Sequence, residues 1–164
     1  MRDVAIRAAE ATDGDAIAAI YNQGIEDRLA TLETETRSAE ERRRWLAARG
    51  PRHPVIVGEV GGRVVGWGSL NSFNPRPAYD HVADFSVYVG REWRGRGVGH
   101  RLLEALIARG RELGYHKLVL AAFPFNVAGV ALYRRLGFVE VGVYREQGRL
   151  DGQWVDVVVM ERLL

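Results

Sequence analysis

Residues 86–110 read SVYVGREWRGRGVGHRLLEALIARG: an alternating strand-like opening, a run of glycine and arginine, then a helical pattern. Leu102, Leu103, Leu106 and Ile107 fall on one helical face, and the spacing predicts a helix over 98–113. A strand that passes through a glycine-rich turn into a helix start is an anion site. Unsatisfied N–H groups point outward there, the helix dipole is positive, and missing Cβ atoms let a ligand approach the backbone. Arg91, Arg94 and Arg96 crowd the same turn. The expected ligand is a phosphate or pyrophosphate.

Two common phosphate loops fail on residues. A P-loop ends in Gly-Lys-Ser/Thr, whereas Gly97-Val98-Gly99-His100 supplies neither lysine nor hydroxyl. A dinucleotide fold wants an acid at the end of the next strand for the ribose, and that strand ends Phe123-Pro124-Phe125.

Outward from this stretch, HVADFSVYV (81–89) is the preceding strand and KLVLAAF (117–123) the following, buried one. VAIRAA (4–9) alternates as a strand, and Thr12-x-x-Asp15 resembles a cap for a helix that carries Ile17, Ile20, Tyr21 and Gly24. Ser38-x-x-Glu41 is a second capping box. PVIVGEV (54–60) and RVVGWGSL (63–70) form a hairpin about Gly61-Gly62, a pair that tolerates the positive φ of a tight turn. Asn71 to Asp80 reads as a loop. Asn126 caps a short helix through Leu136 with Gly137 as its stop, and VEVGVYRE and WVDVVVMERLL close the chain as strands. The order βααββ–β–α–β–α–ββ predicts an α/β (α+β) sandwich, a mixed sheet with helices on its faces.

Composition sets bounds. Of 164 residues, 47% are hydrophobic and 27% charged, which describes a globular chain. A net charge of +2 argues against a nucleic-acid footprint. With no cysteine, disulfides, thiolate metal sites and cysteine-borne intermediates are excluded, and a reducing cytoplasm is the expected compartment. MRDVAIRAAEATDGD lacks the apolar run of a signal peptide, and no window approaches a membrane span. His53, His81 and His116 show no metal-ligand spacing, so no metal is expected. Trp45, Trp67, Trp93 and Trp154 read as packing residues.

Two motifs then meet at the right separation. Arg94-Gly95-Arg96-Gly97-Val98-Gly99 matches R/Q-x-x-G-x-G/A, and Asn126, Gly129, Leu132, Tyr133, Gly137 and Phe138 fill N-x-x-(small)-x-x-L-Y-x-x-x-G-F. Together they resemble the GCN5-related N-acetyltransferases (GNAT). YNQGIEDRLATLETETRSAEE (21–41), FNPRPAY (73–79), SVYV (86–89) and GRLDGQWVDVVVM (148–160) are similar to the branch that acetylates phosphinothricin, methionine sulfoximine or arsinothricin on the α-amino group. The resemblance spans nearly the whole chain. It implies one acetyltransferase domain over 1–164, a mostly antiparallel sheet with helices on both faces, acetyl-CoA as cosubstrate, a small amine as acceptor and a homodimer.

It also implies roles. Backbone amides of Arg94, Gly95, Arg96, Gly97, Val98, Gly99 and His100 would hold the pyrophosphate. Val87 and Val89 would pair their main chain with the pantetheine arm, which Asn126 would also contact. Asp84 would serve as base, directly or through water, in a slot where the branch usually has glutamate. In a strand, Asp84, Ser86 and Tyr88 share one face as a polar wall. Tyr133, in a slot the branch often fills with histidine or cysteine, would protonate the departing thiolate with an unshifted pKa of about 10. Arg76 would pair with an acidic group of the acceptor and Tyr79 would line its pocket; Asn74 stands where a second arginine is usual. Acetylation of protein N-termini or polyamines, and a non-catalytic coenzyme A sensor, are the alternatives.

Overall fold

The computed structural model describes residues 3–164. Seven strands, β1 (Ala5–Ala8), β2 (Val55–Val60), β3 (Arg63–Ser72), β4 (Val82–Val89), β5 (Lys117–Ala122), β6 (Val139–Leu150) and β7 (Gln153–Leu163), lie in the order β1-β2-β3-β4-β5-β7-β6. Only β4 and β5 run parallel; every other neighbouring pair is antiparallel. Helices α1 (Gly14–Glu26), α2 (Ala39–Ala47), α3 (Val98–Glu112) and α4 (Val127–Arg135) cover both faces. The mixed sheet expected from the element order forms, and it is mostly antiparallel as the resemblance implies.

Each face has its own core, and strand alternation divides them. Val98, Leu102, Leu103, Leu106 and Ile107 of α3 pack against Ile56, Leu70, Phe85, Leu118, Leu120 and Met160. On the opposite face Ile17, Ile20, Tyr21 and Ile25 of α1 meet Val55, Val57 and Trp67. Within β3, Trp67 turns toward α1 while Gly66 and Gly68 turn toward α3. A Cβ at Gly68 would lie 3.0 Å from both Leu106 Cδ1 and Ser86 O; one at Gly66 would lie 3.0 Å from Leu102 Cδ1 and Val98 Cγ1. The bare strand lets α3 sit close to the sheet, and this fixes where the start of α3 lies.

Three sequence readings need correction. The first helix is not capped by Thr12. A 3₁₀ turn, Ala11–Asp13, precedes it, and the Asp13 carboxylate accepts from Glu10 N at 2.7 Å. Arg7 of β1 donates to both Asp13 oxygens, at 2.8 and 2.9 Å, so a bond from the strand just before the turn sets the helix entry. Asn71 and Ser72 are not loop: they continue β3 because Asp84 and Ala83 pair with them. Trp154 is 61% exposed and covers no core, although Trp45 and Trp67 do pack as read. The Ser38–Glu41 capping box forms as expected, with Ser38 Oγ accepting from Glu41 N and Glu41 from Ser38 N.

Gly68→Ala should therefore destabilise the protein by about 1–3 kcal/mol in urea unfolding, because the carbonyl of Ser86 cannot swing aside as a side chain can. A variant as stable as the parent would contradict this account of how α3 is seated.

Candidate active site

β4 and β5 share only three paired positions: Val82 with Lys117, Ala83 with Leu118, and Asp84 with Val119. Beyond Asp84 they separate. β4 stays with β3 as far as Val89 opposite Gly66, and β5 stays with β7 as far as Ala122 opposite Val158. A wedge opens between them with Asp84 at its apex. Gly90 N donates to Val65 O, so even-numbered residues of β4 bond toward β3, and the main-chain groups of Val87 and Val89 turn into the wedge.

The wedge holds two adjoining cavities. The larger, about 470 Å³, is bordered by Val87, Val89, Arg94, Gly95, Gly97, Gly99, His100, Asn126, Leu132 and Tyr133. The smaller, about 180 Å³, is bordered by Asp84, Ser86, Tyr88, Leu120, Ala122 and Tyr133. Tyr133, Asn126, Val87 and Tyr88 belong to both. Most of the residues singled out from the sequence are thus brought together. Arg96, Val98, Arg76 and Tyr79 do not border either cavity. Val98 is buried under the sheet, and the Arg96 guanidinium lies 5.4 Å from the Trp93 ring centroid. Arg76 and Tyr79 occupy the exposed β3–β4 connection, where Tyr79 meets Phe73 edge to face.

The glycine loop presents backbone. Gly97, at φ 85°, is the N-cap of α3, a conformation that side chains rarely adopt, and the N–H groups of Val98, Gly99 and His100 lack intrahelical partners. Of the loop arginines only Arg94 borders the cavity, and its guanidinium is already engaged. Arg91 and Arg94 both bind Asp27 at the end of α1, at 2.8 and 2.6 Å, and Arg94 also donates to Val89 O. These bonds pin the loop to α1, and Arg91 in particular holds the Asp27 carboxyl below its ordinary value.

On β4 the alternation falls as read. Phe85, Val87 and Val89 face α3, while Asp84, Ser86 and Tyr88 face α1. The polar wall continues onto β3, where Asn71 lies opposite Asp84, Ser69 opposite Ser86 and Trp67 opposite Tyr88. Asn71 Nδ2 donates to Asp84 Oδ1 at 3.3 Å and Ser86 Oγ at 3.2 Å, and Trp67 stacks on Tyr88 at 4.9 Å. Burial raises the Asp84 carboxyl to about 6, a rise that the Asn71 hydrogen bond restrains. Tyr133 sits edge to face on Phe85 at 5.8 Å. Its hydroxyl is not unshifted, as expected from the sequence: burial raises it, which keeps the proton on oxygen at neutral pH. Asn126 accepts from Gly129 N as cap and donates to Leu29 O, closing the wedge under the α1–α2 connection.

Sequence reasoning missed Leu29, Ala30, Asp27 and Asn71. Asp27, Leu29 and Ala30 lie within the 21–41 stretch that carries the resemblance, which gives them no role of their own. Asn71 left a signal in that Trp67, Ser69 and Asn71 continue one alternation across what read as a strand end. No group of three His, Asp or Glu side chains suited to a metal occurs among the described residues, and no helix there is long and apolar enough to cross a membrane.

Comparison with known proteins agrees with this geometry. A family profile described as "Acetyltransferase (GNAT) family" matches residues 18–138. The L-methionine sulfoximine/L-methionine sulfone acetyltransferase of Pseudomonas paraeruginosa (strain DSM 24068 / PA7) is 34% identical over 158 residues, covering 95% of this chain and 92% of its own. A crystal structure of ribosomal-protein-alanine N-acetyltransferase from Brucella melitensis superposes with TM-score 0.94 at 37% identity, over 98% of this chain and 99% of that one. The phosphinothricin acetyltransferase of Sinorhizobium meliloti, solved in complex with AcCoA, superposes with TM-score 0.93 at 31% identity, over 98% and 88%. The chain belongs to the GNAT acetyltransferase family and is an N-acetyltransferase.

The Asp84 titration has a consequence for stability. The folded-state value of about 6 exceeds the ordinary 3.8, so the folded protein binds more protons between those values and loses stability as pH rises through them. Asp84→Asn keeps an acceptor for Asn71 and removes the buried charge. It should be more stable than the parent at pH 8 by about 3 kcal/mol, with the gain vanishing below about pH 4. Thermal melts across pH 4–8 measure this.

Proposed function

We propose that this enzyme transfers the acetyl group of acetyl-CoA to the amino group of a small amino acid or analogue of the methionine sulfoximine or phosphinothricin type, with both substrates bound together. The observation that carries the reading is the wedge. It joins a backbone cradle at the start of α3 to a carboxylate at its apex, with the edge of β4 running between them. A pyrophosphate suits the amides from Arg94 to His100, and a Cβ at Gly99 would come within 3.3 Å of Leu132 and crowd the channel wall. Main-chain groups of Val87 and Val89 would pair with the pantetheine amides, and Asn126 stands beside the same arm. The two cavities give the carrier and the acceptor separate lobes that meet at Tyr133.

The acceptor nitrogen attacks the thioester carbon, the carbon–sulfur bond breaks, and one amine proton must leave. Asp84, with a value of about 6, is ionised at neutral pH and basic enough to take that proton directly or through water. Tyr133 keeps its proton and donates it to the departing sulfur. Arg76, whose guanidinium has no ion-pair partner among the described residues, would draw in the acidic group of the acceptor from the β3–β4 connection, with Tyr79 beside its approach. A reading in which protein N-termini are acetylated is favoured by the likeness to the ribosomal-protein-alanine enzyme. The compartment consistent with an acetyl-CoA enzyme lacking cysteine is the cytoplasm.

Thiol release from acetyl-CoA, measured against methionine sulfoximine, phosphinothricin, free amino acids, spermidine and alanine-started peptides, tests the acceptor class. Turnover of peptides alone would replace the small-molecule reading with the protein one. Asp84→Asn and Tyr133→Phe should each lower kcat by about 10²-fold or more while acetyl-CoA binding in calorimetry is kept. In the parent enzyme the rate should fall as pH drops through about 6, where Asp84 becomes protonated.

A homodimer is the assembly we infer from the closing hairpin. Val139, Val141 and Trp154 there are 60%, 59% and 61% exposed, and β6 is a free sheet edge. Light scattering should give twice the chain mass for the parent and a monomer for Val141→Glu.

A further inference from the structure

Asp84 is the near end of a chain of hydrogen bonds that begins outside the cleft. Asn71 uses all of its amide: Nδ2 donates to Asp84 Oδ1 and Ser86 Oγ, while Oδ1 accepts from Ser69 Oγ at 3.0 Å and from Arg49 Nη2 at 2.8 Å. A guanidinium only donates, so the amide atom that faces Arg49 has to be oxygen, and the two N–H groups are left for Asp84 and Ser86. With the amide reversed, the Asn71 oxygen would face the Asp84 carboxylate, and two acceptors would repel.

Arg49 is itself held from three sides. Nε donates to His53 O at 2.8 Å, Nη2 donates also to Leu70 O at 2.5 Å, and the guanidinium lies 4.5 Å from the Trp45 ring centroid. It forms no ion pair with a carboxylate among the described residues. It lies just past the end of α2 and behind β3, and it reaches the Asp84 carboxylate only through Asn71.

We propose that Arg49 is a positioning residue for the base: by holding the Asn71 carbonyl it commits the amide hydrogens to Asp84 and Ser86, and so sets the direction and basicity of the carboxylate. The inference rests on the reading of Asp84 as the proton acceptor. The influences resolved on the carboxyl agree with it, since burial raises its value and the Asn71 bond lowers it, with no direct contribution from Arg49. Other groups facing Asp84 are uncharged at neutral pH. Ser86 and Tyr88 come from its own strand and Tyr133 from α4, both tyrosines being held above their ordinary values by burial, and β5 contributes Leu120, Ala121 and Ala122.

The test is a double-mutant cycle read on the Asp84 carboxyl by carbon NMR in the free protein, beside the pH profile of kcat/KM. Asn71→Leu should raise the Asp84 value by about one pH unit, a tenfold change in proton affinity, and carry the acid limb of the rate profile with it. Arg49→Met should shift both in the same direction, Arg49→Lys should restore most of the difference, and Arg49→Met on the Asn71→Leu background should add nothing. An unmoved titration in Arg49→Met would overturn the proposal. So would an equal shift in both backgrounds, which would mean that Arg49 acts by its charge alone. If Asn71→Leu does not fold, Asn71→Ser takes its place in the cycle. Should Asp84→Asn turn over at the parent rate while the NMR shifts follow the cycle, the base assignment fails and the positioning of the carboxyl stands.

Discussion

The structure depends on the divergence of two parallel strands. β4 and β5 remain together for three residues and then follow different partners, β4 in register with β3 and β5 with β7. Antiparallel pairing on both outer sides holds each strand while the accumulated twist of the sheet draws them apart. The inner edge of β4 is thereby left without a neighbouring strand, yet its main-chain groups still need partners. An extended chain with amides of its own suits that edge, as an added strand would. The pantetheine arm of acetyl-CoA is such a chain.

What lies at the ends of the wedge follows from packing elsewhere. α3 can bring its first turn to the mouth because Gly66 and Gly68 let it approach the sheet, and Leu102 and Leu106 fill the space that their side chains would have taken. The glycine loop is then braced from the opposite face, where Asp27 of α1 binds both Arg91 and Arg94. Two layers meet at one loop. The positive charge of Arg91 and Arg94 joins these layers, in keeping with the expectation that the amides and not the side chains of the loop face the ligand.

The two faces also divide the chemistry. Tyr133 approaches from the α3–α4 side on an aromatic seat of Phe85 and Phe138, while Asp84 approaches from the α1 side within a polar wall. In a continuous sheet a backbone layer would separate them. The gap between β4 and β5 lets both border one cavity, and burial there raises both groups. Asp84 becomes a stronger base than a surface aspartate, and Tyr133 holds its proton more tightly than an exposed tyrosine.

Much of this could be read from the chain. Local signals identified the elements: alternation in HVADFSVYV, apolar spacing in α3, the box at Ser38 and Glu41, and the turn at Gly61-Gly62, where both φ angles are positive. They depend on neighbours within a few positions, and short-range sterics and hydrogen bonding decide them. Alternation also assigned Asp84, Ser86 and Tyr88 to one face. Asn71 opposite Asp84, Arg49 behind Asn71, and Asp27 under the loop arginines lay beyond that reach. Each is a pairing between residues far apart in sequence, settled by strand register and by the packing of α1 and α2 on the sheet. The same holds for the raised carboxyl and hydroxyl, because burial is a property of the folded surroundings and no residue carries it alone.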